Sequence, residues 1–391
     1  MARSKRGARW LAFGLLVAAL SVVAAGCGGG DDSGSLEGLG SSFEEIQELA
    51  REEGEVNIVQ WPLYAQLVEE FTAATGCTVT LKDAGTSDDM INFMGTGEYD
   101  GIVASGNATV RLMTTDEVAP IDEELIPNYA NIHEGLKGQV HNSLDGQAMG
   151  VPHGRGYNPL AFRADVVTTA PDSWSAIWEN PNEYAGKISI YDDSIFIADA
   201  ALYLKATQPE LGIDNPYELD EVQFNAAVDL MKQLAPNVGE WWTDYSKQIQ
   251  AFTNKDSVIG TTWPLQVNLL KGDGQPVESV KPSEGATGWS DTWMVSTKAA
   301  NPNCMYLWMN HMASPEAQAV VAEGFGEAPA NLEACALTTN KNHCTEQHAD
   351  DEVFWEDIYY WTTPVADCGD DRGEVCKTQE DWEAAWTEIR G

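Results

Sequence analysis

Tryptophans standing just beyond strand-like runs, with carboxylates close by, carry most of the chemical potential of this sequence. Trp289 lies two residues before Asp291, Trp61 follows the β-branched run Val56–Val59 and precedes Pro62, and Trp263 ends the run from Ser257 to Thr262. A π face attracts a cation by roughly 0.5–2 kcal/mol, and a neighbouring carboxylate adds a charge-assisted hydrogen bond. Such a pair suits an organic ammonium group. Ligands of open α/β sheets bind beyond the carboxyl ends of the strands, which is where these residues are expected to stand. Trp289 and Asp291 sit two apart on a segment entering a strand at Thr292–Ser296, so both side chains are expected to leave the same face. Trp174, Trp178, Trp308 and Trp382 fall inside helical patterns and read as core.

Little in the chain asks for an enzyme. There is no phosphate-binding G-x-x-x-x-G-K-[ST], no H-E-x-x-H and no G-x-S-x-G, and the six histidines (133, 141, 153, 311, 343, 348) are scattered. Paired acids abound because Asp and Glu number 61, so a secreted hydrolase with paired carboxylates stays open as an alternative, as does a sugar binder using stacked tryptophans. No cofactor or metal is expected. His343 and His348 flank Cys344, with Cys335 upstream, but the tight C-x2-C spacing of zinc sites is missing. The 61 acids face only 22 Lys and Arg, a formal net charge of −39. That field repels phosphate backbones and excludes nucleic acid as a partner, while favouring cations; most of it serves as a solvated acidic surface.

The elements that must position these residues follow a secretory address. Arg3, Lys5, Arg6 and Arg9 precede an apolar run from Trp10 to Ala25, too short to span a membrane, and Ala24-Ala25-Gly26 leads into Cys27. Small residues before a cysteine resemble a bacterial lipobox, which implies cleavage after residue 26, acylation of Cys27 and an extracytoplasmic, lipid-anchored protein. Residues 28–42, rich in Gly and Ser, read as a flexible tether. Strand and helix patterns then alternate: strands at Val56–Val59, Thr78–Leu81, Gly101–Ala104, Lys187–Tyr191, Ser257–Thr262 and Thr292–Ser296, and helices at Phe43–Glu53, Tyr64–Phe71, Glu221–Leu234 and Glu380–Ile389. This predicts an α/β fold of two domains with mostly parallel sheets. Apart from Cys27 there is an even six cysteines, as suits an oxidising compartment. Close spacing favours Cys335 with Cys344 and Cys368 with Cys376, leaving Cys77 with Cys304, although sequence permits fifteen connectivities.

The chain resembles the spermidine/putrescine-binding family of extracytoplasmic solute-binding proteins that serve ABC importers. The likeness runs from about Val56 to Leu332. Trp61-Pro62-Leu63-Tyr64, Phe71 to Gly76, Tyr99-Asp100 to Ser105, Gly150-Val151-Pro152, Ser173-Trp174, Ala235 to Val238, Trp289-Ser290-Asp291 and Gly326 to Asn331 (GEAPAN) follow the family's motifs in order. The resemblance implies a two-lobed, type II periplasmic-binding-protein fold with hinge crossovers, lobe 1 being 43–153 with 291–338 and lobe 2 being 154–290 with 339–391. It places Cys77 and Cys304 in one lobe, which supports pairing them. It implies a ligand set of Trp61, Tyr64, Ser105, Asp193, Thr243, Trp263, Trp289 and Asp291, with the two acids meeting ammonium groups of a polyamine. It further implies an ABC permease as partner and a monomeric chain that is not an enzyme. Four positions depart from the pattern: Phe196 replaces an acid, Asn107 an aromatic, His153-Gly154-Arg155 the family's V-P-Y continuation, and Glu327 a tyrosine. Glu327 is thus a candidate replacement for the acid missing at Phe196, and Arg155 a candidate contact for a zwitterionic amine.

Overall fold

The computed structural model describes residues 36–391 apart from 63; the expected signal segment, Cys27 and the start of the expected tether lie outside the described residues. Part of the expected tether, residues 36–42, is packed against the first core. Leu36 and Leu39 already pack on the first core, Gly40 N–H donates to Asn303 Oδ1 at 2.9 Å, and Asn303 Nδ2 returns a bond to the Gly38 carbonyl. Helix Phe43–Glu53 follows, capped by the Ser42 hydroxyl and ended by Gly54 with φ 74°. Glu53, in its last turn, accepts from the backbone N–H groups of Asn303 and Cys304 and so caps the helix Pro302–Met312, whose first amides would otherwise lack partners.

The first lobe is built on a sheet whose order is Thr78–Asp83, Glu55–Gln60, Gly101–Ala104, Thr292–Ser296 and Val118–Ala119, with Val151–Pro152 also paired to Thr292–Ser296. The second lobe repeats the plan: Val238–Trp242, Ile188–Tyr191, Ile259–Thr261, Leu160–Arg163 and Val277–Val280. Each sheet has three parallel strands and then turns antiparallel. The expectation of mostly parallel sheets is therefore corrected to mixed ones. In the first lobe the reason is topological, because Thr292–Ser296 re-enters from the other lobe and runs against its neighbours.

A third sheet stitches the crossings together: Ala328–Pro329, Gly154–Tyr157, Ala286–Trp289 and Ile358–Tyr360 in that order. His153 N–H donates to the Asp291 carbonyl and Ser290 Oγ to the Gly154 carbonyl, both at 2.8 Å, so the first two crossings lie side by side. Trp174, Trp178, Trp242 and Trp382 fill the second lobe's core, and Trp293 and Trp308 the first's, each no more than 4% exposed. Helix Gln379–Arg390 closes the chain by laying Trp382, Trp386 and Ile389 on the second core. Disulfides join Cys77 to Cys304, Cys335 to Cys344 and Cys368 to Cys376. The middle bond removes the two thiolates that a zinc site at His343 and His348 would need. No helix among the described residues is long and apolar enough to cross a membrane.

Candidate functional site

Strand ends from both lobes open on one cavity of about 470 Å³. From the first lobe come Trp61, which follows Glu55–Gln60, Asp83 at the end of its strand, and Ser105 directly after Gly101–Ala104. From the second come Thr243, Asp244 and Tyr245 after Val238–Trp242, and Trp263 beyond Ile259–Thr261. The crossings supply the floor: Trp289, Asp291, Phe325 and Trp361. A volume of this size lies in the range of small-molecule sites.

Local folding fixes several of these side chains. Ser105 stands where a helix cap would, yet its hydroxyl donates to Asp291 Oδ1 at 2.5 Å instead of capping Gly106–Thr114. Asp244 does cap, accepting from Ser246 N–H at 2.8 Å at the head of helix Tyr245–Asn254. Asp83 accepts from Gln60 Nε2 at 3.0 Å. Gly156 is required by the floor, since a Cβ there would lie 2.3 Å from the Trp289 indole. Trp361 is held by its backbone N–H on the Gly288 carbonyl and stacks on Tyr191, the rings 5.7 Å apart and 10° from parallel. Tyr191 in turn meets Trp263 at 5.4 Å, and Trp263 stands edge-on to Trp242 at 4.9 Å.

The electrostatics of the lining are one-sided. Asp83, Asp244 and Asp291 face the cavity, whereas no Lys, Arg or His lines it among the described residues. Asp83 and Asp244 are exposed at the rim, while Asp291 is 3% exposed. Burial pushes Asp291 up to about 6, against the Ser105 hydrogen bond and the charge of His153, which pull it down. Six aromatic rings surround these acids: Trp61, Tyr245, Trp263, Trp289, Phe325 and Trp361. Aromatic faces with carboxylates and no base make a receptor for an organic cation.

Of the residues singled out from sequence, the structure brings Trp61, Ser105, Thr243, Trp263, Trp289 and Asp291 onto this wall. It places three elsewhere. Tyr64 is fully buried behind Phe325 and Trp293, at ring distances of 5.3 and 5.0 Å. Asp193 is half-buried and accepts from Ile195 N–H at 2.9 Å, capping the turn Ser194–Phe196. Glu327 is 1% exposed and turns to His153, 2.9 Å away, so it does not replace the acid missing at Phe196. Phe196 is itself a core residue, stacked on Trp178. Arg155 is no free cation for a zwitterion: it forks onto Glu352 at 2.6 and 3.3 Å, donates to the Ala349 carbonyl and lies over the Trp355 ring. Sequence reasoning missed Asp83, Asp244, Tyr245, Phe325 and Trp361. Asp83 was within reach, two residues past the recognised run Thr78–Leu81; Trp361 follows a strand whose pairing is entirely long-range.

Two α/β lobes sharing a hinge sheet, with a lined cavity at facing strand ends, define a hinged solute-binding protein of the type II periplasmic-binding-protein fold. The chain belongs to the family of bacterial extracellular solute-binding proteins, which it matches over residues 66–346. It is similar to the spermidine/putrescine-binding periplasmic protein of Escherichia coli (strain K12), 24% identical over 275 residues covering 69% of this chain and 75% of that one. A spermidine/putrescine-binding periplasmic protein of Haemophilus influenzae is 26% identical over 293 residues, 71% of this chain and 76% of its own. Among solved structures, the spermidine/putrescine substrate-binding protein of Streptococcus pneumoniae superposes with a TM-score of 0.67 at 20% identity, covering 86% of this chain and 97% of that one. The A. tumefaciens protein MotA in complex with glucopine superposes with a TM-score of 0.68 at 17% identity, covering 86% and 100%. The fold is therefore shared by proteins with different ligands, and the choice of ligand rests on the lining.

Proposed function

We propose that this chain is the solute-capturing subunit of an ABC importer, held at the outer face of the cell membrane by a lipid on Cys27, and that its ligand is a polyamine such as putrescine or spermidine. Acting as a monomer, it closes lobe 1 (43–153 with 291–338) and lobe 2 (154–290 with 339–391) around that ligand. One observation carries the reading: three carboxylates and six aromatic rings line the cavity, with no base among the described lining residues. Trp61, Trp263, Trp289 and Trp361 offer π faces to a methylene chain with charged ends, Asp291 receives one ammonium at the floor, and Asp83 and Asp244 draw another towards the rim. The names of the relatives point the same way.

The zwitterion alternative loses its support because Arg155 is already paired. A sugar would find stacking surfaces but would leave Asp291 buried without a counter-charge. Thermal shift over amines, amino acids and sugars separates these, because a ligand that binds the native state raises the midpoint. Putrescine and spermidine should do so and glucose should not; a response confined to sugars would overturn the reading. Radiolabelled palmitate should enter the wild-type protein and not Cys27→Ser, and equal labelling of the two would end the lipid-anchor proposal.

A further inference from the structure

Three chain crossings meet beneath the cavity floor, and each brings one buried ionisable side chain: His153 on the first, Asp291 on the second, Glu327 on the third. These residues are 1%, 3% and 1% exposed. His153 Nδ1 lies 2.9 Å from Glu327 Oε1, close enough for ion pairing although not aligned for a hydrogen bond. The Tyr64 ring stands edge-on to the imidazole at 5.2 Å, and Trp293 and Phe325 complete an apolar surround at 6.1 and 5.8 Å. His153 Nε2, Glu327 Oε2 and the Tyr64 hydroxyl have no hydrogen-bond partner among the described residues. Other cationic groups are turned away. Arg155 serves Glu352, and His343 reaches only the Glu327 carbonyl, at 2.8 Å.

Two buried carboxylates facing one another without a cation cannot both stay ionised. A protonated His153 neutralises one of them and leaves the other, and of the three groups only Asp291 reaches the cavity wall. We propose that His153 and Glu327 form a buried ion pair that leaves Asp291 as the one carboxylate of the cavity floor without a counter-ion, so that the site takes one ammonium group there. The pair consists of positioning residues, since neither lines the cavity. Burial alone would lower the His153 imidazole, but the charge and contact of Glu327 and the charge of Asp291 outweigh it and raise the group above its ordinary value. With Asp291 pushed up to about 6, the floor is partly protonated in mildly acidic medium and a cationic ligand must displace that proton. This inference deepens the cationic-ligand reading and rests on it, but the pair itself can be tested without ligand.

The ligand-free test is a 15N NMR titration of the histidine side chains. His153 should be an imidazolium at pH 6.5 in the wild-type protein and titrate at lower pH in Glu327→Gln; a neutral imidazole at pH 6 would overturn the ion pair. The second test is calorimetry with putrescine in buffers of different ionisation heat. Wild type should release about half a proton per putrescine at pH 6 and almost none at pH 8. In His153→Gln two carboxylates share the floor, so proton release should persist at pH 8. In Glu327→Gln, at a pH where the titration shows His153 still protonated, the floor carries no net charge, and affinity there should fall by roughly tenfold or more although residue 327 is off the cavity wall. Wild-type affinity in Glu327→Gln at that pH, or no proton release in wild type at pH 6, would sink the proposal. Absence of any heat with wild type would instead remove putrescine as the ligand, and the imidazole titration then decides the ion pair alone. Should Glu327→Gln fail to fold, the wild-type titration and proton release in His153→Gln still decide between a charged and a neutral pair.

Discussion

Asp291 and Asp193 form an instructive pair. Each follows the end of a strand, Asp291 on a crossing and Asp193 in the second lobe, and each is pushed up to about 6 chiefly by loss of water. Their surroundings then differ. Asp291 reaches the cavity, takes a hydrogen bond from Ser105 of the first lobe and feels the opposing charge of His153. Asp193 spends its carboxylate on Ile195 N–H and feels mainly other acids, Asp88 and Asp192, with some relief from Arg111. Arg111 is itself held by Asp88 at 2.7 Å. Two carboxylates with the same raised pKa are therefore not interchangeable. What each faces decides whether it can receive a ligand.

The sharpest way to break the comparison is to neutralise each acid in turn. A charge-assisted bond carries about 1.5–3 kcal/mol, so Asp291→Asn should weaken putrescine or spermidine binding roughly 10- to 150-fold. Asp193→Asn keeps a good capping residue and should change affinity less than about threefold. Calorimetry reads both, and equal losses would place Asp193 in the site after all.

Acid should act through Asp291 in the same direction. With the group at about 6, only about a tenth remains ionised at pH 5, so affinity should drop around tenfold between pH 7.5 and pH 5. A flat profile in wild type would contradict a carboxylate anchor, and the profile should flatten in Asp291→Asn.

Stability without ligand should run the opposite way. Because Asp291 binds its proton more tightly folded than unfolded, its ionised form destabilises the native state above pH 6, and that penalty fades as pH falls towards 4. Asp291→Asn should therefore be more stable than wild type at pH 8, by about 1–3 kcal/mol in urea melts, with the gap closing near pH 4. A variant less stable than wild type at pH 8 would show that the Ser105 bond outweighs desolvation.

The rim acids should matter least. Asp83→Asn and Asp244→Asn remove exposed charges, worth no more than about 1 kcal/mol and screened by salt. A loss below about fivefold that vanishes in 0.5 M NaCl is expected; a salt-independent loss as large as that of Asp291→Asn would make the rim an anchor too.

Much of the frame was legible. Glu221–Leu234 and Thr292–Ser296 are found where their patterns place them, because the helix has a capping Asp220 and a 3.6-residue stripe and the strand is apolar throughout. The hinge sheet was not. Gly154–Tyr157, Ala286–Trp289 and Ile358–Tyr360 are short, two of them carry glycines, and their partners lie far off in sequence, so no local period marks them. Missing that sheet meant missing Trp361, which follows its last strand. It also meant that Tyr64 and Glu327 were assigned to the wall rather than to the layer behind it. Trp289 with Asp291 was readable because the spacing and the chemistry sit in one tripeptide.

The bond between Cys77 and Cys304 turns 227 residues of sequence separation into a covalent ring, and the second lobe's whole five-stranded sheet is strung on that ring. A protease cut anywhere between the two cysteines opens the ring without releasing a fragment, since both new ends remain bound through sulfur. A second lobe that melted would likewise stay leashed at both ends to the first, its search for the native state confined by a closed loop rather than a free tail. Nicked protein should thus run as one band until a reductant is added, and an injury to the second lobe would abolish its grip on solute long before the molecule came apart.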